Sequence, residues 1–229
     1  MELIDLSSEI FAGMQVHSSQ PPVVVEQWND HGQKVTIGKT VHSSASVRLS
    51  MGDHSGTHVD APRHFDPAPG AASIEQLPLE RFFGPGLCLD LSHVPLRHAV
   101  SPHELQEAVE RSGELLSPGD TVLLHMATNI RLRGTPAYET DFPGLSPDAV
   151  HWLADSGISL FGVEAMSPAP AGELNLQAHM ICAERGITHI ECLDNLERLV
   201  GRGRFTFIGF PLKIRGGTAG PMRAVAVFP

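Results

Sequence analysis

The sequence predicts a mixed α/β fold in a single domain spanning residues 1–229, on three observations. Apolar runs of strand length recur along the chain, Ser-Pro steps open helices, and strands and helices do not alternate with regular βαβ spacing. At 229 residues, with 41% hydrophobic and 18% charged residues, the chain can enclose one substantial core, and nothing in it requires a second domain.

In chain order, residues 3–6 form a short apolar run that turns at Ser7-Ser8-Glu9. Val23, Val24 and Val25 read as a strand. Ala45, Val47, Leu49 and Met51 alternate with Ser46, Arg48 and Ser50, which predicts a half-buried strand delivering Asp53 and His54 at its end. Residues 87–91 form a further strand. Ser101-Pro102-His103-Glu104 is a capping box for a helix running to about Arg111, with proline where its missing N–H costs nothing. His93, His98 and His103 read as surface or capping residues.

Pro118-Gly119-Asp120 turns the chain into a strand over residues 121–126. The polar stretch 128–143, holding Tyr138, is long for a structureless connection, which predicts a rim or lid. Ser146-Pro147-Asp148 starts a helix that Gly157 stops. A strand over 158–163 leads to Glu164, assigned a structural or supporting role. Residues 174–185 have helix-forming composition and end at Gly186, a C-cap glycine. Short strands over 187–191 and 205–210 and a last segment over 223–228 complete the chain.

The formal charge of -10 and pI near 5.6 argue against nucleic acid or an anionic membrane as partner. No apolar run is long enough to cross a bilayer, and the start MELID has neither the basic residues nor the apolar stretch of a secretory signal. A cytoplasmic location is therefore expected. Cys88, Cys182 and Cys192 are odd in number and form no CxxC pair, so they read as free thiols. Cys182, three residues from His179, is a candidate for lining a site.

The chemistry concentrates in residues 54–64, HSGTHVDAPRH. Three imidazoles (His54, His58 and His64) and the Asp60 carboxylate stand within eleven residues. Gly56 and Pro62 oppose a helix, and an extended backbone would put His58 and Asp60 on one side. Neutral imidazole and carboxylate oxygen suit zinc or manganese, and a carboxylate can bridge two ions. Ser55 lacks a nucleophile elbow, and no glycine-rich phosphate loop follows a strand.

HSGTHVDAPRH resembles the HxGTHxDxPxH signature of the metal-dependent cyclase family, which includes bacterial kynurenine formamidases, isatin hydrolases and some polyketide cyclases. The resemblance continues through Gly162-Val163-Glu164, His179 and Glu191, Pro211-Leu212-Lys213 and the closing glycine-rich segment. It implies a swivelling β/β/α fold, a homodimer or homotetramer, and one or two Zn²⁺ or Mn²⁺ ions held by His54, His58, Asp60, His179 and Glu191. His64 matches the family's general acid/base.

The implied activity is hydrolysis of a small amide, imide, lactam or ester by metal-activated water, as in an arylformamidase. The rivals are cyclisation or dehydration without net hydrolysis, and a metal-binding homologue without turnover. Three departures stand out. Glu164 replaces the usual aspartate, and Met180 follows His179 where relatives often have a second histidine. Residues 13–22 lack the aromatic ring found near the position of His17, which counts against an aromatic formyl substrate. His17 is itself a candidate substrate contact, and His189 is a rival to Glu191 for its role.

Overall fold

The structure is a computed structural model that describes residues 1–229. The chain opens with β1 (Glu2–Asp5) and runs out into β2 (Val24–Asn29), β3 (Lys34–Ile37), β4 (Thr40–Ser43) and β5 (Ser46–Ser50) before returning through β6 (His58–Asp60). There follow β7 (Phe83–Asp90), β8 (Ala99–Val100), α1 (Pro102–Ser112), β9 (Thr121–His125) and α2 (Thr128–Leu132). Next come β10 (Gly144–Leu145), α3 (Pro147–Asp155), β11 (Leu160–Val163), α4 (Glu173–Arg185) and β12 (Thr188–Glu191). The last strands are β13 (Phe205–Ile208), β14 (Ala219–Pro221) and β15 (Val225–Phe228).

Nine strands form one mixed sheet in the order β1-β15-β13-β7-β9-β11-β12-β6-β14. Its middle, β7-β9-β11-β12, is parallel, and antiparallel strands flank it. Parallel strands covered on both faces read as continuous apolar runs, as 87–91 and 121–126 do. Leu87, Leu89, Val122, Leu124, Phe161 and Val163 pack on one side with residues of α1, α3 and α4. Cys88, Leu123, Leu160 and Ile190 point into the opposite layer with Ile4, Phe82 and Phe207. This is the α/β architecture expected from the resemblance. No helix is long and apolar enough to cross a membrane.

Ser101 caps α1 as its spacing predicts. Its hydroxyl accepts from the Glu104 amide, and Glu104 accepts from the Ser101 amide. His98 Nε2 lies 2.7 Å from the other oxygen of Glu104.

Two expectations are corrected. The alternating residues 45–51 do form a strand, but every residue of β5 is exposed and its only partner is β2. Alternation marks the two faces of a ribbon, and here neither is covered by the rest of the chain. Residues 128–143 are not a lid: they fold into α2 and a 3₁₀ turn, with Leu132, Tyr138 and Phe142 buried. The Tyr138 hydroxyl donates to the Glu164 carbonyl at 2.8 Å, so its few aromatic and aliphatic anchors decide the outcome despite the polar composition.

Candidate metal centre

The site forms where β6 lies between β12 and β14. Register sets Glu191 opposite His58 and Ala219 opposite Asp60, and the period of two puts His58 and Asp60 on the same face. Gly56, at φ +67°, turns the chain so that His54 folds back over β6; an added Cβ there would come within 3.2 Å of Ile10. His179 arrives from α4, which ends at Gly186 in the left-handed conformation. His189 and Glu191 come from β12.

Asp60 is the hub. Its Oδ1 lies 3.0 Å from His54 Nδ1 and 3.4 Å from His58 Nε2, while Oδ2 lies 3.4 Å from His189 Nε2 and 3.7 Å from His179 Nε2. Glu191 stands 3.4 Å from His58 Nε2, 3.2 Å from His189 Nε2 and 3.7 Å from His179 Nε2. The donors fall into two groups sharing one carboxylate, His54-His58-Asp60 and Asp60-His179-His189-Glu191, each with its donor atoms within 4.8 Å of one another.

Several imidazoles are oriented from behind. His58 Nδ1–H donates to the Gly56 carbonyl and His179 Nδ1–H to the Asn175 carbonyl, both at 2.8 Å. A carbonyl can only accept, so whenever either ring is neutral its proton sits on Nδ1 and the Nε2 lone pair faces the centre. His54 Nε2 lies 3.0 Å from the Thr218 hydroxyl, which donates to Asp53. Asp53 also accepts from the Thr218 and Ala219 amides. It thereby ties the turn before β6 to β14.

Electrostatics shows how tightly these charges depend on one another. Burial alone would lower the pKa of His58, but Asp60 and Glu191 raise it to about 10. His189 is likewise raised against burial, by Asp60, Cys182 and Glu191. Burial works to raise Asp60, yet the surrounding imidazoles hold it well below its ordinary value, and Glu191 is lowered in the same way. Both oxygens of Asp60 and Nε2 of His58 are buried without a hydrogen-bond partner. Lone pairs left unpaired indoors are costly unless something positive meets them, and carboxylate with imidazole is the donor set of zinc and manganese. The cluster fits a divalent cation.

His64 stands apart from the donors, on a 3₁₀ turn begun by Pro62. Its Nε2 lies 3.7 Å from Asp60 Oδ2, and its ring is 4.1 Å from that of His54. Burial, helped by His54 and His179, lowers its pKa to about 4 against the pull of Asp60, leaving it neutral at pH 7. It lines a cavity of about 560 Å³ together with His54, His58, His179 and Glu191.

A model of the Cyclase family, described as "Putative cyclase", matches residues 4–170. The chain belongs to the cyclase family. A kynurenine formamidase from Salinibacter ruber is 33% identical over 98% of this chain and 97% of its own length. Isatin hydrolase A from Ralstonia solanacearum superposes with a TM-score of 0.81 at 25% identity, over 99% of this chain and 92% of that one. An isatin hydrolase bound to the product analogue thioisatinate shares the fold with a TM-score of 0.84 at 23% identity, over 100% and 92%. With such relatives and a buried donor cluster, this family member is a metal-dependent hydrolase.

Each candidate named from the cyclase signature lies at the centre: His54, His58, Asp60, His179 and Glu191 converge, with His64 beside them. His17 is on the cavity wall, half exposed, its Nδ1 2.8 Å from the Ser19 hydroxyl. Cys182 is a buried free thiol lining a much smaller cavity behind His179. Glu164 lies outside the cluster and accepts from the Met126 and Thr128 amides, a structural role. Met180 points away from the donors and is 53% exposed.

Two contributions escaped sequence reasoning. His189 stands beside Glu191 in the same group of metal-type donors and does not displace it; the i, i+2 spacing on a strand was the available signal. Phe65, next to His64, stacks its ring 4.2 Å from that of His179 and lines the cavity. It supplies an aromatic wall that residues 13–22 lack. Cys192 also borders the cavity, but burial and the neighbouring Glu191 push its thiol well above the ordinary range, so it is no thiolate nucleophile at neutral pH.

Proposed function

We propose that this protein hydrolyses a small amide, imide, lactam or ester, with aryl formamides and isatin-like lactams as the first classes to try. The observation that carries the reading is the Asp60 carboxylate, buried and without a hydrogen-bond partner at the point where two groups of metal-type donors meet. The relatives named above act on carbon–nitrogen bonds outside peptides, and an arylformamidase-like activity follows that line.

His54, His58 and Asp60 would hold one zinc or manganese ion, and Asp60, His179, His189 and Glu191 a second. Ions bound there would supply a water acidic enough to ionise near neutral pH and positive charge for the carbonyl oxygen. His64, neutral and facing the cavity, takes the proton of the attacking water at Nε2 and returns it to the leaving nitrogen or oxygen. The Gly56 and Asn175 carbonyls hold the His58 and His179 rings in the required tautomer. Phe65 packs against the aryl part of the substrate, and His17 touches its distal end.

The proposed setting is the cytoplasm, in keeping with three free cysteines, and the proposed assembly is of two or four copies. Elemental analysis of purified protein, with turnover of formanilides, cyclic imides, isatin-like lactams and lactones in oxygen-18 water, tests the reading. Bound divalent metal, one label per product and loss of turnover with chelator are expected. Product without label would point to cyclisation or dehydration, and full speed in excess chelator would remove the metal from the reaction.

A further inference from the structure

A second cavity, of about 420 Å³, lies behind the hydrolase cavity of about 560 Å³, and both have the size of small-ligand pockets. Gln15, Gly56 and Cys192 line both, so these three residues form the partition between them. Gln15 is fixed at both ends of its amide: Nε2 donates to the Thr135 carbonyl at 2.9 Å, and Oε1 accepts from the Gly134 amide at 3.3 Å. Gly56 has no side chain to offer. The Cys192 side chain therefore closes the gap between them.

The backbone is bent to put that side chain there. Cys192 sits at φ +56°, in the left-handed region that glycine prefers and that a side chain makes costly. Three hydrogen bonds hold it in place. Its amide donates to the Ala165 carbonyl at 2.9 Å, and its carbonyl accepts from the Thr57 hydroxyl at 2.7 Å and the Ser8 hydroxyl at 2.9 Å. Strain that persists because its surroundings fix it collects where function needs it. Cys192 follows Glu191 and Gly56 lies between His54 and His58, so the partition stands against the donor cluster, with Phe65 on His179 as another wall.

We propose that Cys192 sets the length of the acyl group this hydrolase accepts, by shutting the second cavity off from the donors; the proposal rests on the hydrolase reading given above. A carbonyl at the donors, with its aryl leaving group along Phe65, turns its remaining substituent towards the partition. A formyl hydrogen fits against the thiol, whereas a chain of several carbons needs the space beyond. That space suits such a chain. Phe11, Met14 and Tyr138 are on its wall, and its one cation, Arg133, is already paired with Asp194 at 2.6 Å. The second cavity stays unused until the thiol is removed.

Turnover of N-acyl anilides from formyl to hexanoyl by wild type, Cys192→Ala and Cys192→Gly tests this. The preference for formanilide over hexananilide, as a ratio of kcat/KM, is expected to fall at least about tenfold in Cys192→Gly, the scale on which a closed pocket rejects a methylene too many. Cys192→Ala, which keeps Cβ in the partition, should fall between. Calorimetry of straight-chain hydroxamates, from formyl to hexanoyl, on metal-loaded protein repeats the series without turnover and should give the same order. Chain-length profiles that coincide in wild type and Cys192→Gly would overturn the proposal. Thermal melts read the backbone: Cys192→Gly is expected to melt above Cys192→Ala, because both lack the thiol and only glycine is at ease at φ +56°. The reverse order would remove the turn that aims the side chain, and the proposal with it. A hydroxamate profile that lengthens in Cys192→Gly, with no anilide hydrolysed by any of the three proteins, would keep the partition and sink the hydrolase reading; hydrolysis with unchanged profiles would do the opposite.

Discussion

Oδ2 of Asp60 and Nε2 of His189 lie 3.4 Å apart, which sets His189 in the donor group that shares the Asp60 carboxylate with His179 and Glu191. Replacing it with glutamine keeps most of its volume and removes a basic nitrogen. His189→Gln is expected to weaken divalent-ion binding by at least about tenfold, since even groups behind a ligand are worth about 10–100-fold. Competition against a chromophoric chelator reads this directly. Equal affinities for variant and wild type would place His189 outside the coordination set.

His64 tests the division between holding metal and moving protons. It is 3.7 Å from Asp60 yet belongs to neither donor group. His64→Gln is expected to lower kcat by about 10²–10⁴-fold, the range for a positioned acid or base, with the ion-to-protein ratio unchanged. Loss of metal along with activity would make His64 a ligand instead.

Protonation and metal binding should pull stability in opposite directions with pH. In metal-free protein, His58 is raised to about 10 and His189 is raised as well. Their stabilisation is complete below the unfolded value near 6.5 and fades as pH climbs towards the folded one. Asp60 and Glu191 are depressed, so theirs is present above about pH 4.5 and fades as pH falls. All four contribute together at about pH 4.5–6.5. Metal-free protein is thus expected to have its highest Tm in mild acid and to lose stability towards pH 9. Metal takes the imidazoles neutral, so the Tm gain on adding it should widen across the same rise. A gain that shrinks from pH 6 to pH 9 would contradict the proposed ligand set.

Much of this architecture is legible in the chain because its signals are local. The capping box at Ser101, Gly186 at the end of α4 and the apolar runs of the parallel strands each act through near neighbours in sequence. The density of residues 54–64 exposes the first donor group for the same reason. Pairing is where local signals stop. That β6 lies between β12 and β14, bringing Glu191 opposite His58, depends on contacts more than a hundred residues apart, and His189 gains its meaning only there. The alternation of 45–51 shows two faces but not what covers them. Tyr138 and Phe142 look like isolated residues in a polar stretch until the packing of 128–143 against the core buries both.

The cavity also sets a charge preference. Beyond the proposed ligands, Glu173 is the one charged side chain on its wall apart from the histidines, and no lysine or arginine is there. Neutral aryl amides are expected to show lower KM than analogues bearing a carboxylate, with the gap narrowing in high salt as screening grows. Glu173→Gln should narrow it too. Preference for the carboxylate analogue would mean that the bound ions, and not Glu173, set the charge the substrate meets.

Residues 128–143 act as a shelf beneath the cavity loop. Gln15 Nε2 donates to the Thr135 carbonyl at 2.9 Å, and the Ser18 amide donates to Glu139 at 2.9 Å. The shelf is pinned from below by the Tyr138 hydroxyl, 2.8 Å from the Glu164 carbonyl and 3.1 Å from Asn129 Oδ1. Tyr138→Phe leaves the ring packed and removes the single proton the hydroxyl shares between these two acceptors, at a cost of about 1 kcal/mol. For a chain of this size that is a Tm drop of about 2–4 °C. KM should stay within error, because nothing that touches substrate has moved. A moving lid would respond the other way, with KM and kcat shifting together while Tm held, and steady-state kinetics beside a thermal melt separates the two.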